Sequence, residues 1–390
     1  MNLVFISSGH YPNGGASTNR HLAYGKGLAE AGHKVIFILL SKQENELQEN
    51  GINFISVLDF KKLNIKIILG KQYFHIKSII KAKKILNNFQ SQENIDAIIL
   101  LDTQVWILLP FILFAQRNHI KVFHERTEYP FVVNGKGLLN HVNLILYSSF
   151  ILKRFDGLFV INKALKQYFS ILLNNRIPIE IINMIVDPSR FDNLTTDSNY
   201  GQYIAYCGTL QGDKDGIDIL IKAFADSLKT GKILKEMKLL IIGDTSNKKS
   251  YNKLQQLCYD SQCENNVFFT GKIDRYKMPV YLKNASALAL ARPNNKQAEG
   301  GFPTKLGEYL ATGNPVIITN VGEIGEYLVD GDNAFIAIPG SVDSFSLKIQ
   351  EVFSDYNTAS EVGTRGKELV YKEFNYFYES IKLANFIKSV

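Results

Sequence analysis

The stretch R-P-N-N-K-Q-A-E-G-G-F-P-T-K-L-G-E-Y-L-A-T-G-N-P-V-I-I-T, from Arg292 to Thr319, reads as the end of a strand, a loop, a short helix and the next strand. Gly300 and Gly301 loosen the loop, Pro303 suits the first helical turn, and Gly313 with Pro315 stops the helix by C-cap chemistry. Lys305 and Glu308 are three apart and share a face, while Leu306 and Leu310 are four apart on another that can turn to a core. The amides and dipole of a helix N-terminus attract phosphate, and Lys305 adds a full positive charge there. One turn on, Glu308 is placed to accept hydrogen bonds from both hydroxyls of a ribose. Taken alone the pair is an ordinary surface ion pair; the Gly-Gly-x-Pro context favours the phosphate reading.

Outward from this segment, short apolar runs alternate with helical patterns at Leu3–Ser7, Lys34–Leu40, Ala97–Leu101, Lys121–His124 and Leu158–Ile161. The pattern restarts at Tyr203–Gly208, Leu239–Gly243, Val267–Thr270, Ala287–Ala291 and Val316–Thr319. Such alternation predicts parallel sheets wrapped by helices, hence an α/β protein of two doubly wound domains, at 1–190 and 200–374. The boundary falls in Asn183–Gln202, which holds Pro188 and the polar run Asn193–Gln202. Residues 375–390 read as a helix that crosses back to the first domain. Open α/β sheets bind ligands at the carboxyl ends of their strands, so the two domains are expected to face each other across a cleft.

The whole chain agrees with this. Its 390 residues exceed one compact core, and 46% hydrophobic with 21% charged residues suits neither disorder nor a membrane bundle. Three cysteines without a C-x-x-C pair point away from a disulfide framework or zinc ribbon and towards a reducing, cytoplasmic compartment. The start reads directly as a strand, and the greasiest run, Val105 to Ala115, is far short of the ~20 residues of a spanning helix. The net charge of +7 is uneven. Residues 61–84 carry Lys61, Lys62, Lys66, Lys71, Lys77, Lys81, Lys83 and Lys84 with no acid, and Ile76, Ile79, Ile80 and Leu86 recur at helical spacing. This is either a solvated helix with its isoleucines inward or a peripheral contact with the anionic inner face of a membrane. Aromatic residues suited to base stacking are sparse, so no nucleic-acid partner is expected.

The Phe302–Gly313 segment resembles the donor-binding signature of retaining GT-B glycosyltransferases of family four, in a subgroup carrying F-P-T-K-L-x-E-Y-L-A-T-G. Gly14-Gly15, Asn19-Arg20 and Gly32-His33-x-Val35 resemble that family's N-terminal pattern, and Ile182-Asn183 with Asp187 and Phe191 resembles its linker motif. Tyr206-Cys207-Gly208-Thr209-Leu210 with Lys214-Asp215-Gly216, then Ile241-Ile242-Gly243-Asp244 and Phe269 to Ile273, continue the series in order. The resemblance implies transfer of a sugar from a nucleotide-diphosphate sugar, a UDP- or GDP-sugar, to a glycan, lipid-linked or polysaccharide-precursor hydroxyl, with anomeric configuration retained and no metal or other cofactor.

It implies catalytic roles for Lys214, Lys305 and His124, to which Arg292, at the end of a predicted strand beside the same cleft, is added as a further candidate. Donor binding would involve Gly15, Gly208, Thr209, Gly243, Ile273, Gly300, Gly301, Phe302, Thr304 and Glu308, and acceptor contacts His10, Arg20 and Glu125. Glu125 and Glu128 are alternative acid/base candidates, and the alternative for His124 is a satisfied strand-end histidine. Two positions depart from the pattern. Gly300 stands where the family has a first glutamate, with Glu299 one place out of register, and Thr209 stands where many members have arginine. Arg292 is the candidate to supply that missing charge. Asp213-Lys214-Asp215 matches a metal-binding D-x-D, but two acids beside a lysine make a poor magnesium cage. Sugar-nucleotide epimerases, phosphorylase-like enzymes and non-catalytic sugar-nucleotide-binding proteins share the same fold signals.

Overall fold

A computed structural model of the chain describes residues 1–41, 48–57, 68–133, 137–194, 200–211 and 214–390, with the side chains of 68–75 and 133 outside that description. The chain divides into two compact units, Met1–Ile185 with Tyr376–Val390, and Val186–Asn375.

In the first unit the strands are β1 (Asn2–Ser7), β2 (Lys34–Leu39), β3 (Gln48–Glu49), β4 (Ile52–Ser56), β5 (Ala97–Leu100), β6 (Lys121–Arg126), β7 (Gly157–Val160) and β8 (Ile179–Ile181). Among the described residues they form one sheet in the order β3-β4-β2-β1-β5-β6-β7-β8. All pairs are parallel except β3 with β4. A parallel sheet is covered on both faces, which is why Leu3, Val4, Phe5 and Ile6 are all buried. Phe5 stacks on Phe37 across the β1–β2 pair with ring centroids 4.7 Å apart. β6 runs two residues beyond the expected end at His124, pairing Glu125 and Arg126 with Phe159 and Val160.

The last helix, Tyr376–Ser389, packs along the helix Ala16–Glu30, and its Leu383, Ala384 and Ile387 enter the same core as Phe5 and Phe37. Gly27 lets the two helices approach, since a Cβ there would lie 2.5 Å from the Ser380 hydroxyl. Asn183 N donates to Glu379 at 2.8 Å, tying the end of the unit's main run to that helix.

The second unit holds β9 (Tyr203–Cys207), β10 (Lys238–Ile242), β11 (Val267–Gly271), β12 (Ala287–Leu290), β13 (Val316–Thr319) and β14 (Phe335–Ala337). Their order is β11-β10-β9-β12-β13-β14, all parallel. β9 therefore has an earlier crossover on one side and a later one on the other, and β1 has the same position in the first sheet. These are the topological switch points where doubly wound sheets bind ligands.

Two local expectations change. Pro303 is the N-cap of the helix Thr304–Ala311, one place before the first turn, and Gly313 follows the helix at φ +76°. In the helix Ile68–Glu93, Ile79 and Leu86 turn inward, whereas Ile76 and Ile80 are exposed beside Lys77, Lys81 and Lys84. A single helix face buries only about a third of the circumference, too little for all four apolar positions. Lys61, Lys62, Lys66 and the Lys71 side chain lie outside the described residues. Among the described residues, no helix is long and apolar enough to cross a membrane.

Candidate functional site

At the switch point of the second unit, the loop after β9, the residues after β12 and the helix Thr304–Ala311 converge on Asp215. Its carboxylate receives Lys305 Nζ at 2.6 Å and the Tyr206 hydroxyl at 2.7 Å, and Arg292 Nε lies 3.8 Å from the other oxygen. Burial alone would push this carboxyl up, but Lys305, Tyr206 and Arg292 together hold it below its ordinary value. Lys305 also lies over the Tyr206 ring, 4.7 Å from its centroid. Arg292 is only 2% exposed, and its carbonyl accepts the Thr319 hydroxyl at 2.6 Å, which fixes it at the strand edge.

Glycines make room for this cluster. A Cβ on Gly208 would sit 2.2 Å from Lys305 Nζ, and one on Gly243 would sit 2.2 Å from the Gly208 carbonyl. Gly216, at φ +63°, starts the helix Ile217–Lys229 in the left-handed region, where a Cβ would fall 1.9 Å from the Ala291 carbonyl oxygen. Tyr309, on the Lys305 helix, closes the other side, its hydroxyl accepting from Cys207 N at 2.6 Å. Burial pushes the Cys207 thiol up to about 12 despite Lys305, so it stays neutral. Lys305 and Arg292 thus converge on Asp215, a grouping of cations that suits a polyanion such as a diphosphate.

Glu308 is held by Arg190, which projects from the turn Pro188–Phe191 and also donates to the Arg275 carbonyl at 3.4 Å. Thr304 and Lys305 open the helix partly exposed, Lys214 is half-buried, and Ile273 follows β11 half-buried. Thr209 is exposed, its carbonyl accepting from Tyr206 and its hydroxyl from Gln211 N. Gly300 ends the helix Lys296–Gly300 and Gly301 caps it, both buried, whereas Glu299 points to Lys296 at 2.7 Å on the surface. The Phe302 ring is packed against Tyr327 and Phe374, each 5.7 Å away, so only its backbone is left for a ligand. Asp213 of the D-x-D lies outside the described residues.

In the first unit Arg20 and Glu125, expected on the acceptor side, are buried against each other at 2.8 Å. Arg20 also donates to the Asn183 and Ile182 carbonyls, each at 2.8 Å, and His21 meets the second Glu125 oxygen at 2.6 Å. Burial opposes the charge on Glu125, but His21 and Arg20 reverse it and hold the carboxyl far below its usual range. These groups are occupied in tying the helix Ala16–Glu30 to β6. His124 is fully buried, with one ring nitrogen 2.7 Å from the Leu100 carbonyl and the other 2.7 Å from the Tyr147 hydroxyl. Burial and Arg126 lower it to about 3, so it is neutral and satisfied.

Gly15 is the exposed N-cap of the helix Ala16–Glu30, and Gly14 admits the Thr18 hydroxyl, which donates to the carbonyl of exposed His10 at 2.9 Å. Glu128 is half-buried and its carbonyl accepts from Arg126 at 3.0 Å. At this unit's own switch point, Asp102 accepts from Ser8 N at 2.9 Å and from its hydroxyl, and burial raises its carboxyl. Arg190, Tyr206, Tyr309 and Asp102 were not picked out as ligand residues from the sequence, and Asp215 was weighed only as half of a D-x-D. Gly216 beside Asp215 was the one local cue, since an obligate left-handed turn fixes what precedes it.

Residues 197–369 match the family described as glycosyl transferases group 1. A curated relative, an uncharacterized glycosyltransferase of Methanocaldococcus jannaschii, is 22% identical over 229 residues, and the match spans 55% of each chain, so the chain covers about half of that relative's length. Among solved structures, sucrose-phosphate synthase from Thermosynechococcus elongatus superposes with a TM-score of 0.73 at 16% identity, covering 100% of this chain and 98% of that one. A glycosyltransferase from Rickettsia africae gives 0.71 at 18%, covering 100% and 98%, and Anabaena HepE in complex with UDP-glucose gives 0.71 at 16%, covering 100% of both. The fold is GT-B, and residues 197–369 are similar to glycosyl transferases group 1.

Proposed function

We propose that the chain is a retaining glycosyltransferase of the family-four type, working in the cytoplasm. It moves a sugar from a UDP- or GDP-sugar to a hydroxyl of a glycan, lipid-linked or polysaccharide-precursor acceptor. The observation that carries this reading is the convergence of Lys305 and Arg292 on Asp215, set at a switch point inside the stretch that is similar to group 1. As the acceptor oxygen bonds to the anomeric carbon, the bond from that carbon to the diphosphate breaks. Its electron pair leaves with the diphosphate, which also takes up the hydroxyl proton. Lys305, Arg292 and Lys214 stabilise the charge that develops, at about 3–4 kcal/mol for each well-aimed donor, so that no metal is required. Glu308, oriented by Arg190, takes the ribose hydroxyls, and Gly208, Thr209, Gly243, Ile273, Gly300, Gly301 and Thr304 offer backbone and close approach.

The solved HepE complex with UDP-glucose supports UDP as the first base to try. Calorimetry with UDP should give at least a tenfold loss of affinity for Lys305→Ala and for Glu308→Ala. Wild-type affinity in both variants overturns the assignment of the donor clamp. Nucleoside diphosphate released only when an acceptor is supplied, at a rate unchanged by EDTA, separates transfer from epimerisation or phosphorolysis.

A further inference from the structure

The helix Leu138–Leu146 is inside out. Its one buried side chain is polar: Asn143 accepts from Val105 N at 2.9 Å and donates to the Thr103 carbonyl at 3.3 Å, pinning the helix to the start of the helix Val105–Arg117. The buried stripe continues at Tyr147 and Ile151, each four residues on. Leu138, Leu139, Val142, Ile145, Leu146 and, after it, Phe150 point to solvent, Leu139 being 84% exposed. Trp106 and Leu113 on the neighbouring helix are exposed too, and so are Ile76 and Ile80 on the helix Ile68–Glu93, which packs against that one. Along the helix Leu138–Leu146 these side chains adjoin at i+3 and i+4 spacing, and a contiguous exposed apolar face of this kind marks a docking surface.

Charge identifies what docks. Residues 60–92, 103–124 and 129–155 contain no Asp or Glu, yet they carry the exposed cations Lys77, Lys81, Lys84, Arg117 and Lys153. Arg154 lies over the Phe150 ring, 4.0 Å from its centroid, with an apolar body beneath a charged tip. Of the described acids at the borders, Glu93 is occupied by Lys34, Asp102 by Ser8, Glu125 by Arg20 and Asp156 by Val122 N, and Glu128 is half-buried. Among the described residues, a second copy of this chain on the same face would bring cations against cations with no exposed acid from the three acid-free stretches to answer them. Hydrocarbon beneath a layer of negative charge answers both features.

The geometry points to peripheral docking on an anionic bilayer through the helix Leu138–Leu146 and Phe150, with the lysines of the helix Ile68–Glu93 as its basic flank. This does not depend on the donor chemistry and moves the apolar anchor away from residues 61–84. The test is co-sedimentation of the full chain with vesicles of equimolar phosphatidylglycerol and phosphatidylcholine, against phosphatidylcholine alone, in ~0.1 M salt where surface charges still act over ~10 Å. The wild type should pellet with the anionic vesicles. Leu139→Glu with Ile145→Glu, both at exposed positions, should lower the bound-to-free ratio at least tenfold while keeping the wild-type melting temperature. The proposal is overturned if the wild type stays in the supernatant, if the double variant pellets equally, or if both vesicle types bind alike. It also falls if the wild type is a dimer that the double variant makes monomeric while neither binds vesicles.

Discussion

Replacing Asp215 by Asn tests the centre of the proposed donor site without removing either cation. At an effective dielectric of about 20, a charge pair at the 2.6 Å of Lys305 is worth about 6 kcal/mol gross, and the 3.8 Å Arg292 contact about 4 kcal/mol. Desolvation consumes most of this, and removing one member of a buried pair costs ~3–5 kcal/mol net. Lys305 is 15% exposed, so water screens it and the lower end, about 3 kcal/mol, is expected. For a unit the length of Val186–Asn375 that corresponds to a fall in melting temperature of ~6–12 °C. The folded-state pKa of Asp215 lies below its ordinary 3.8. Its contribution is therefore fully present above that value and is lost as pH falls through the folded-state pKa. Urea unfolding of wild type and variant at pH 7 and at successively lower pH should show the gap closing in acid. A bound diphosphate also replaces the lost negative charge, so UDP should raise the melting temperature of the variant more than that of wild type. A gap under about 1 kcal/mol at pH 7, or one that does not change down to pH 3, refutes the account.

Gly216→Ala places a Cβ against the Ala291 carbonyl at φ +63°, and should cost at least ~2 kcal/mol in urea unfolding, because backbone must move. Glu125→Gln removes the acid between Arg20 and His21 and should cost about 3 kcal/mol at pH 7. Since Glu125 is held far below its ordinary 4.5, that difference should persist from neutral pH to about 4.5 and then shrink progressively as pH falls towards the much lower folded-state pKa, as chemical denaturation across pH would show.

The strands legible in the sequence are those buried on both faces, because such strands must be continuously apolar: Leu3–Ile6 and Leu239–Ile242 admit no other reading. β8 and β14 are three residues each at sheet edges, too short for any pattern, and β4 alternates buried Ile52 and Phe54 with partly exposed Asn53 and Ile55. The Lys305 helix was legible because its ends are punctuated by Pro303 and Gly313, which are local signals. Its partners were not: Asp215 is 90 residues from Lys305 and Arg190 is 118 from Glu308, so only the strand order brings them together.

Periodicity has a second blind spot. It says which side chains share a helix face and is silent on which way that face turns. Ile79 and Ile80 belong to one apolar pattern, yet one is buried and the other 62% exposed. At Leu138–Leu146 the silence matters more, since leucines at helical spacing read as core until Asn143 is seen to hold the inner side. What decides the direction is which residue finds a partner. Thr103 and Val105 offer an unpaired carbonyl and amide at the start of a helix, and an amide side chain answers both where no leucine can. The apolar face is then left to solvent by the hydrogen-bond requirements of a neighbouring helix end, and its basic surroundings make it a surface with a use.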